Sequence, residues 1–271
     1  MNPRLAANLL ALLPQRPRII DLQSDGTLFT HLAPRIGRSQ VWTLIHTEEE
    51  VLETTLEEIA AWAHRRGLTV TVPAAAMLIH APGGAWRIEG LMADLEAPDL
   101  VDYPKHDAMV CAGLLDRVDR QWIEMLAEVL DTPLLATALP RGVPDFLPRD
   151  RRDGALATAW RRAAHDMLFG AAPPHDPAAT LRASLAPRGW TTLRAPSDEI
   201  VPRHALNRLR ALMDAQRDTA AALCPGRTST FESWHKLRLR QALAGRLAVQ
   251  VGQEDVLAVP PRPPASAQRS R

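Results

Sequence analysis

Short apolar runs alternate with longer amphipathic ones from Arg18 to Ala138, and that alternation narrows the folds open to the chain. Arg18–Leu22 (RIIDL) predicts a short strand, and Leu28–Ile36 a helix. Val41–Ile45 predicts the next strand. Glu48–Arg66 predicts a helix with Val51, Leu52, Leu56, Ile59, Ala60 and Ala63 on one face and acids on the other. Gly67 is a fitting stop for it, because glycine takes the left-handed conformation that ends many helices. Leu68–Val72 is strand-like. Met77–His80 and Trp86–Leu91 flank the turn sequence APGGA, which predicts a hairpin. Asp107–Cys111 predicts a strand, Asp119–Leu130 a helix and Pro133–Ala138 another strand. This order predicts an α/β fold, Rossmann-like, with a mostly parallel sheet and right-handed crossovers that place helices on both faces.

The second half reads differently. Asp150–His165 predicts a helix that begins in an Arg/Asp cluster, and Asp176 can cap a helix over Ala178–Leu185. Gly189–Leu193 is strand-like. Two helical runs, Arg203–Leu223 and Ser229–Leu243, are split by CPGRTST. The segment RLAVQVGQEDVLAVP predicts a late strand. The tail, 261–271, is rich in Pro, Ser and Arg and predicts disorder, which leaves a single domain over 1–260.

Composition sets outer bounds. The 32 basic and 31 acidic residues nearly cancel, so no global field points to nucleic acid or to a membrane surface. Cys111 and Cys224 are the only cysteines; they lie far apart and predict neither a metal site nor a disulfide framework. The N-terminal apolar run Leu9–Leu13 is cut by Pro14 and predicts a short amphipathic helix, not a signal peptide. No run has the length of a bilayer span, and the expected location is the cytoplasm.

Together, RIIDL with HLAPRIG, VWTLIH followed by an acid-bearing helix, and MADLEAP after the third strand resemble the class I S-adenosylmethionine-dependent methyltransferases of bacteria. DAMVCAGLLDRVDRQWIEMLAEVL, GWTTLRAPSDEIVP and GRLAVQVGQEDVLAVPP extend the likeness over most of the chain. The resemblance implies a seven-stranded sheet with a reversed last strand, so that Gly189–Leu193 and Leu247–Val251 pair antiparallel at its edge, with the two helical runs between them as a late helical insertion at about 202–244. It implies S-adenosylmethionine as cofactor, with Asp21 and Gly26 in the first loop, Glu48 near the ribose, Asp94 at the adenine and Cys111 under the cofactor. The second-half helices would cover the substrate.

The first loop departs from the family's glycine-rich pattern, approximately D-L-G-x-G-x-G. It reads Asp21-Leu22-Gln23-Ser24-Asp25-Gly26-Thr27, and the side chains of Gln23, Asp25 and Thr27 are expected to crowd the amino-acid end of the cofactor. The family's acid at the second strand end falls on His46, which makes Glu48 the nearest carboxylate. His165 and Asp166 resemble a polar cluster that the family carries beside its substrate pocket. The basic run RDRRDG reads as a solvated face. The sequence names no general base and no methyl acceptor.

Two functions from different classes follow. One is a methyltransferase acting on a small-molecule acceptor. The other is a non-catalytic methyltransferase-like subunit that binds a protein partner after losing its glycine loop. A nicotinamide-dependent oxidoreductase would need G-x-G-x-x-G after the first strand, which is absent.

Overall fold

The computed structural model describes residues 1–73, 76–141, 144–156 and 176–261. His165, Asp166, most of the helix expected at Asp150–His165, and the tail from 262 lie outside the described residues.

The chain forms two compact units. The first takes in Met1–Leu139, Met167–Ala195 and Asp255–Arg271, and the second Pro140–Asp166 and Pro196–Glu254. The first opens with α1 (Pro3–Leu12), whose first turn is capped by the Asn2 side chain, and with Leu5, Ala6 and Leu9 buried. There follow β1 (Arg18–Leu22), α2 (Thr27–Ile36), β2 (Gln40–His46), α3 (Glu49–Arg65), β3 (Thr69–Thr71), β4 (Ala76–Ala81) and β5 (Gly84–Met92). Then come β6 (Ala108–Ala112), α4 (Arg120–Val129) and β7 (Leu134–Pro140). In chain order the remaining elements are β8 (Asp145–Leu147), α5 (Pro177–Leu185), β9 (Thr191–Pro196), β10 (Glu199–Val201), α6 (Leu206–Leu223), α7 (Thr228–Leu243), β11 (Ala248–Val251) and β12 (Gln253–Val259).

The large sheet has nine strands where the resemblance implies seven, in the order β3-β4-β5-β2-β1-β6-β7-β12-β9. Its centre, β5-β2-β1-β6-β7, is parallel throughout, and β3-β4-β5 is antiparallel. This is the Rossmann-like, mostly parallel architecture that the alternation predicts. The expected β4–β5 hairpin forms, with Ala81 paired to Gly84.

The strand pleat explains how both faces are covered. Ile19, Trp42, Leu44, Ile88 and Val110 pack with Leu9 of α1, Phe29 and Leu32 of α2 and Ile59 of α3. Their neighbours Ile20, Leu22, Ile45, Met109 and Cys111 pack on the opposite face with Trp122, Ile123 and Leu126 of α4 and Leu181 of α5. The strands β1, β2 and β6 are buried on both sides, which is why they read as continuous apolar runs.

The late strands correct one expectation. The edge strand β9 neighbours β12 and not Leu247–Val251, which instead supplies β11 to a separate three-stranded sheet, β10-β11-β8. Burial gives the reason. Asp255–Ala258 is buried at every position and suits a place inside a sheet covered on both faces. β11 is buried on one side only and suits a sheet with one solvated face. The two runs read as one late strand in the sequence, and Gly252 divides them.

The second unit therefore carries three strands as well as the expected helices. Its core gathers Phe146, Val201, Leu209, Met213, Phe231, Trp234 and Val249. Among the described residues no helix is long and apolar enough to cross a membrane.

Candidate functional site

Chain order reverses at β1. Successive crossovers place β2 and β5 on one side of it and β6 and β7 on the other. In a doubly wound sheet the crevice outside the carboxyl ends of the strands opens at such a switch point. At that edge of the sheet lie the loop Gln23–Gly26 after β1, His46–Glu48 after β2, Ala93–Asp94 after β5 and Gly113–Arg117 after β6.

Asp21 lies on the α2/α3 side of β1, opposite Leu44 and Val110. It is buried, and its Oδ2 accepts a 2.7 Å hydrogen bond from Ser24 Oγ. Ser24 Oγ in turn accepts from the Gly26 N–H at 3.2 Å. Loss of hydration pushes the Asp21 carboxyl up to about 8, against the opposing pull of the Ser24 hydroxyl, and the nearby Asp25 charge adds to the rise. At neutral pH it is mostly a protonated acid that pins the turn into α2.

Gly26 takes φ +75° at the start of α2. A Cβ there would sit 3.1 Å from Ile59 Cγ1 and 3.3 Å from Thr55 Cγ2. The bare backbone thus lets α3 approach the turn. Gly26→Ala is expected to cost about 1–2 kcal/mol, from the left-handed backbone and the tight contact, measured by chemical denaturation.

The three residues expected to crowd the loop do not act alike. Asp25 is exposed and its Oδ1 accepts from the Thr27 N–H at 2.9 Å. Thr27 is exposed at the start of α2. Only Gln23 reaches across to β2: its amide terminus lies 3.0 Å from His46 Nε2 and 3.4 Å from Thr47 Oγ1.

His46 is buried at the β2 end, and its Nδ1 accepts from the Glu48 N–H at 2.9 Å. Burial lowers its pKa, aided by the Arg117 charge and opposed by Glu48. Glu48 is exposed, precedes α3 and makes no side-chain capping bond. Asp94 is exposed, with Oδ1 accepting from the Glu96 N–H at 2.9 Å. Cys111 is fully buried, and burial first, then Asp21 and Asp116, pushes its thiol up, so it is no nucleophile.

Sequence reasoning passed over Asp116. It follows Gly113-Leu114-Leu115 after β6, its Oδ1 is buried without a hydrogen-bond partner, and burial pushes its carboxyl up to about 6. The signal was an acid directly after an apolar run that leaves a strand-end glycine.

An adenosyl cofactor needs room at a strand end, acceptors for a ribose diol and an acceptor for an amine. Gly113 has φ +57° and nothing within 4 Å of the place a Cβ would take, which leaves room at the β6 end. Glu48 and Asp94 supply exposed carboxylates beyond the ends of β2 and β5. The residues present fit the group, with Gln23 as the side chain that crosses between two of these strand ends.

No family model and no curated protein matches the chain. Solved structures do. An S-adenosylmethionine-dependent methyltransferase from Thiobacillus denitrificans, with S-adenosyl-L-homocysteine, is 16% identical and matches 96% of this chain and 92% of its own, at a TM-score of 0.44. One from Geobacter sulfurreducens, with the same ligand, is 14% identical over 96% and 92% of the two chains, at 0.42. YcgJ from Bacillus subtilis is 10% identical over 97% and 100%, at 0.48.

Proposed function

We propose that the protein is an S-adenosylmethionine-dependent methyltransferase acting on a small-molecule acceptor. The observation that carries this reading is the reversal of strand order at β1, with Gly113, Glu48 and Asp94 beyond the carboxyl ends of the parallel strands beside it. Glu48 would accept from the ribose hydroxyls and Asp94 from the adenine amine. Asp21 and Gly26 would shape the turn beside the cofactor, and Cys111 would form part of the apolar floor. When bound, the cofactor supplies an electrophilic methyl on a sulfonium. What the chain must add is alignment of an acceptor in line with the departing sulfur.

Asp116 is the proposed polar contact for that acceptor, since its Oδ1 is a buried oxygen without a donor. A carboxyl titrating near neutrality can also take a proton from an O–H or N–H nucleophile.

The test is calorimetric titration with S-adenosylmethionine and S-adenosyl-L-homocysteine. Micromolar binding, about −8 kcal/mol, is expected. Asp94→Ala is expected to weaken it at least tenfold; unchanged affinity would remove Asp94 from the site. The contact between Gln23 and His46 favours the second reading, a non-catalytic methyltransferase-like subunit with a protein partner. Absence of heat and of thermal shift at millimolar ligand would support it.

A further inference from the structure

We infer that Gln23 sets the ligand affinity of the crevice: its side chain lies across the carboxyl ends of β1 and β2 in the free protein, and an adenosyl ligand must displace it. The inference rests on the cofactor reading above and adds to it the residue that limits binding.

Gln23 has φ +51°, a region where glycine is at ease and a side chain is not. Among the described residues only Ala138 is another non-glycine with positive φ. The turn keeps the conformation of a glycine while carrying a long polar side chain. The strand register fixes where that side chain goes. Leu22 pairs with Ile45, and the Ser24 N–H donates to the Ile45 carbonyl at 3.1 Å. Gln23 therefore sits on the seam between β1 and β2, at the end where they face the crevice.

Proton counting then identifies the contact. His46 Nδ1 already accepts from the Glu48 N–H, so in the neutral ring Nε2 carries the hydrogen. A donor at Nε2 needs an acceptor, and the Gln23 amide 3.0 Å away must present its oxygen. In that orientation the amide nitrogen takes the other terminal position, which is buried. The amide thus holds His46 through a single terminal atom, from a strained backbone position. Such a side chain holds its place weakly. Once it leaves, His46 Nε2–H becomes a donor at the end of β2, suited to a ribose hydroxyl.

The experiment compares the wild-type chain with Gln23→Gly, Gln23→Ala and Gln23→Glu by calorimetric titration with S-adenosyl-L-homocysteine, each variant first shown to be folded by its thermal transition. Gln23→Gly is expected to bind at least tenfold more tightly. Gln23→Ala should gain less, because the positive φ remains strained, and Gln23→Glu should gain nothing, because a side chain of the same length still crosses the seam. If Gln23→Gly does not fold, the gain in Gln23→Ala decides. Equal or weaker binding by the shortened variants, with measurable binding by the wild type, overturns the inference and leaves the cofactor reading standing. Absence of binding by folded wild type and by every folded variant overturns both.

Discussion

Asp153→Ala is expected to destabilise the second unit by about 3–5 kcal/mol, because it leaves a buried guanidinium without its counter-charge. Arg238 on α7 is fully buried. Its Nη2 donates to Asp153 Oδ2 and its Nε to Asp153 Oδ1 at 3.3 Å. Its Nη1 donates to the Pro148 carbonyl at 2.6 Å and to Gln241 Oε1 at 2.7 Å. Trp234 Nε1 also donates to Asp153 Oδ1, at 2.8 Å. Removal of this carboxylate strands a cation and an indole N–H together. The double change Asp153→Ala with Arg238→Met is expected to recover much of the loss, since no buried charge then remains unpaired. Urea denaturation of the single and double variants measures both. Equal loss in the two would mean that the contact matters through packing and not through charge.

The second large effect is a dependence on pH. Asp21 has its ordinary pKa near 3.8 in the unfolded chain and about 8 in the folded one. The folded state therefore binds more protons across this window. Its stability falls as pH rises from about 4, and the fall ends near the folded value. At 1.36 kcal/mol per unit the penalty at pH 7 is on the order of 4 kcal/mol. Asp21→Asn carries no charge to bury, and its side-chain carbonyl can still accept from the Ser24 hydroxyl. The variant is expected to match wild type near pH 4 and to be more stable at pH 7, with the gap widening by about 1.4 kcal/mol per unit between. Parallel denaturation curves from pH 4 to pH 8 check this. A constant gap would mean that Asp21 is ionised in the folded protein.

The central sheet was legible because its residues obey one rule at a time. RIIDL, VWTLI and AMVCA are buried on both faces, so apolar content alone marks them. The helix after β2 shows its 3.6-residue period because one face is solvated. The second unit was less legible. Its strands β8 and β10 are three residues each, too short to show a period of two, and they form only where β11 lies between them. Ala248–Val251 and Gln253–Val259 read as one run because apolar content cannot say which sheet a strand joins.

At the crevice the same division holds. That the loop after β1 lacks its glycines, and that His46 stands at the end of β2, can be read from the chain directly. That Asp25 turns outward to cap Thr27 while Gln23 crosses to His46 depends on backbone torsions and on strand register. The burial of Asp21 and Asp116, and hence their shifted titration, depends on side chains distant in sequence. By itself the sequence determined the alternation and the class of sheet, because these follow from local period and connection length. The tertiary structure alone decided which polar groups lose water and which meet one another, because desolvation and hydrogen bonding are set by neighbours that folding brings together.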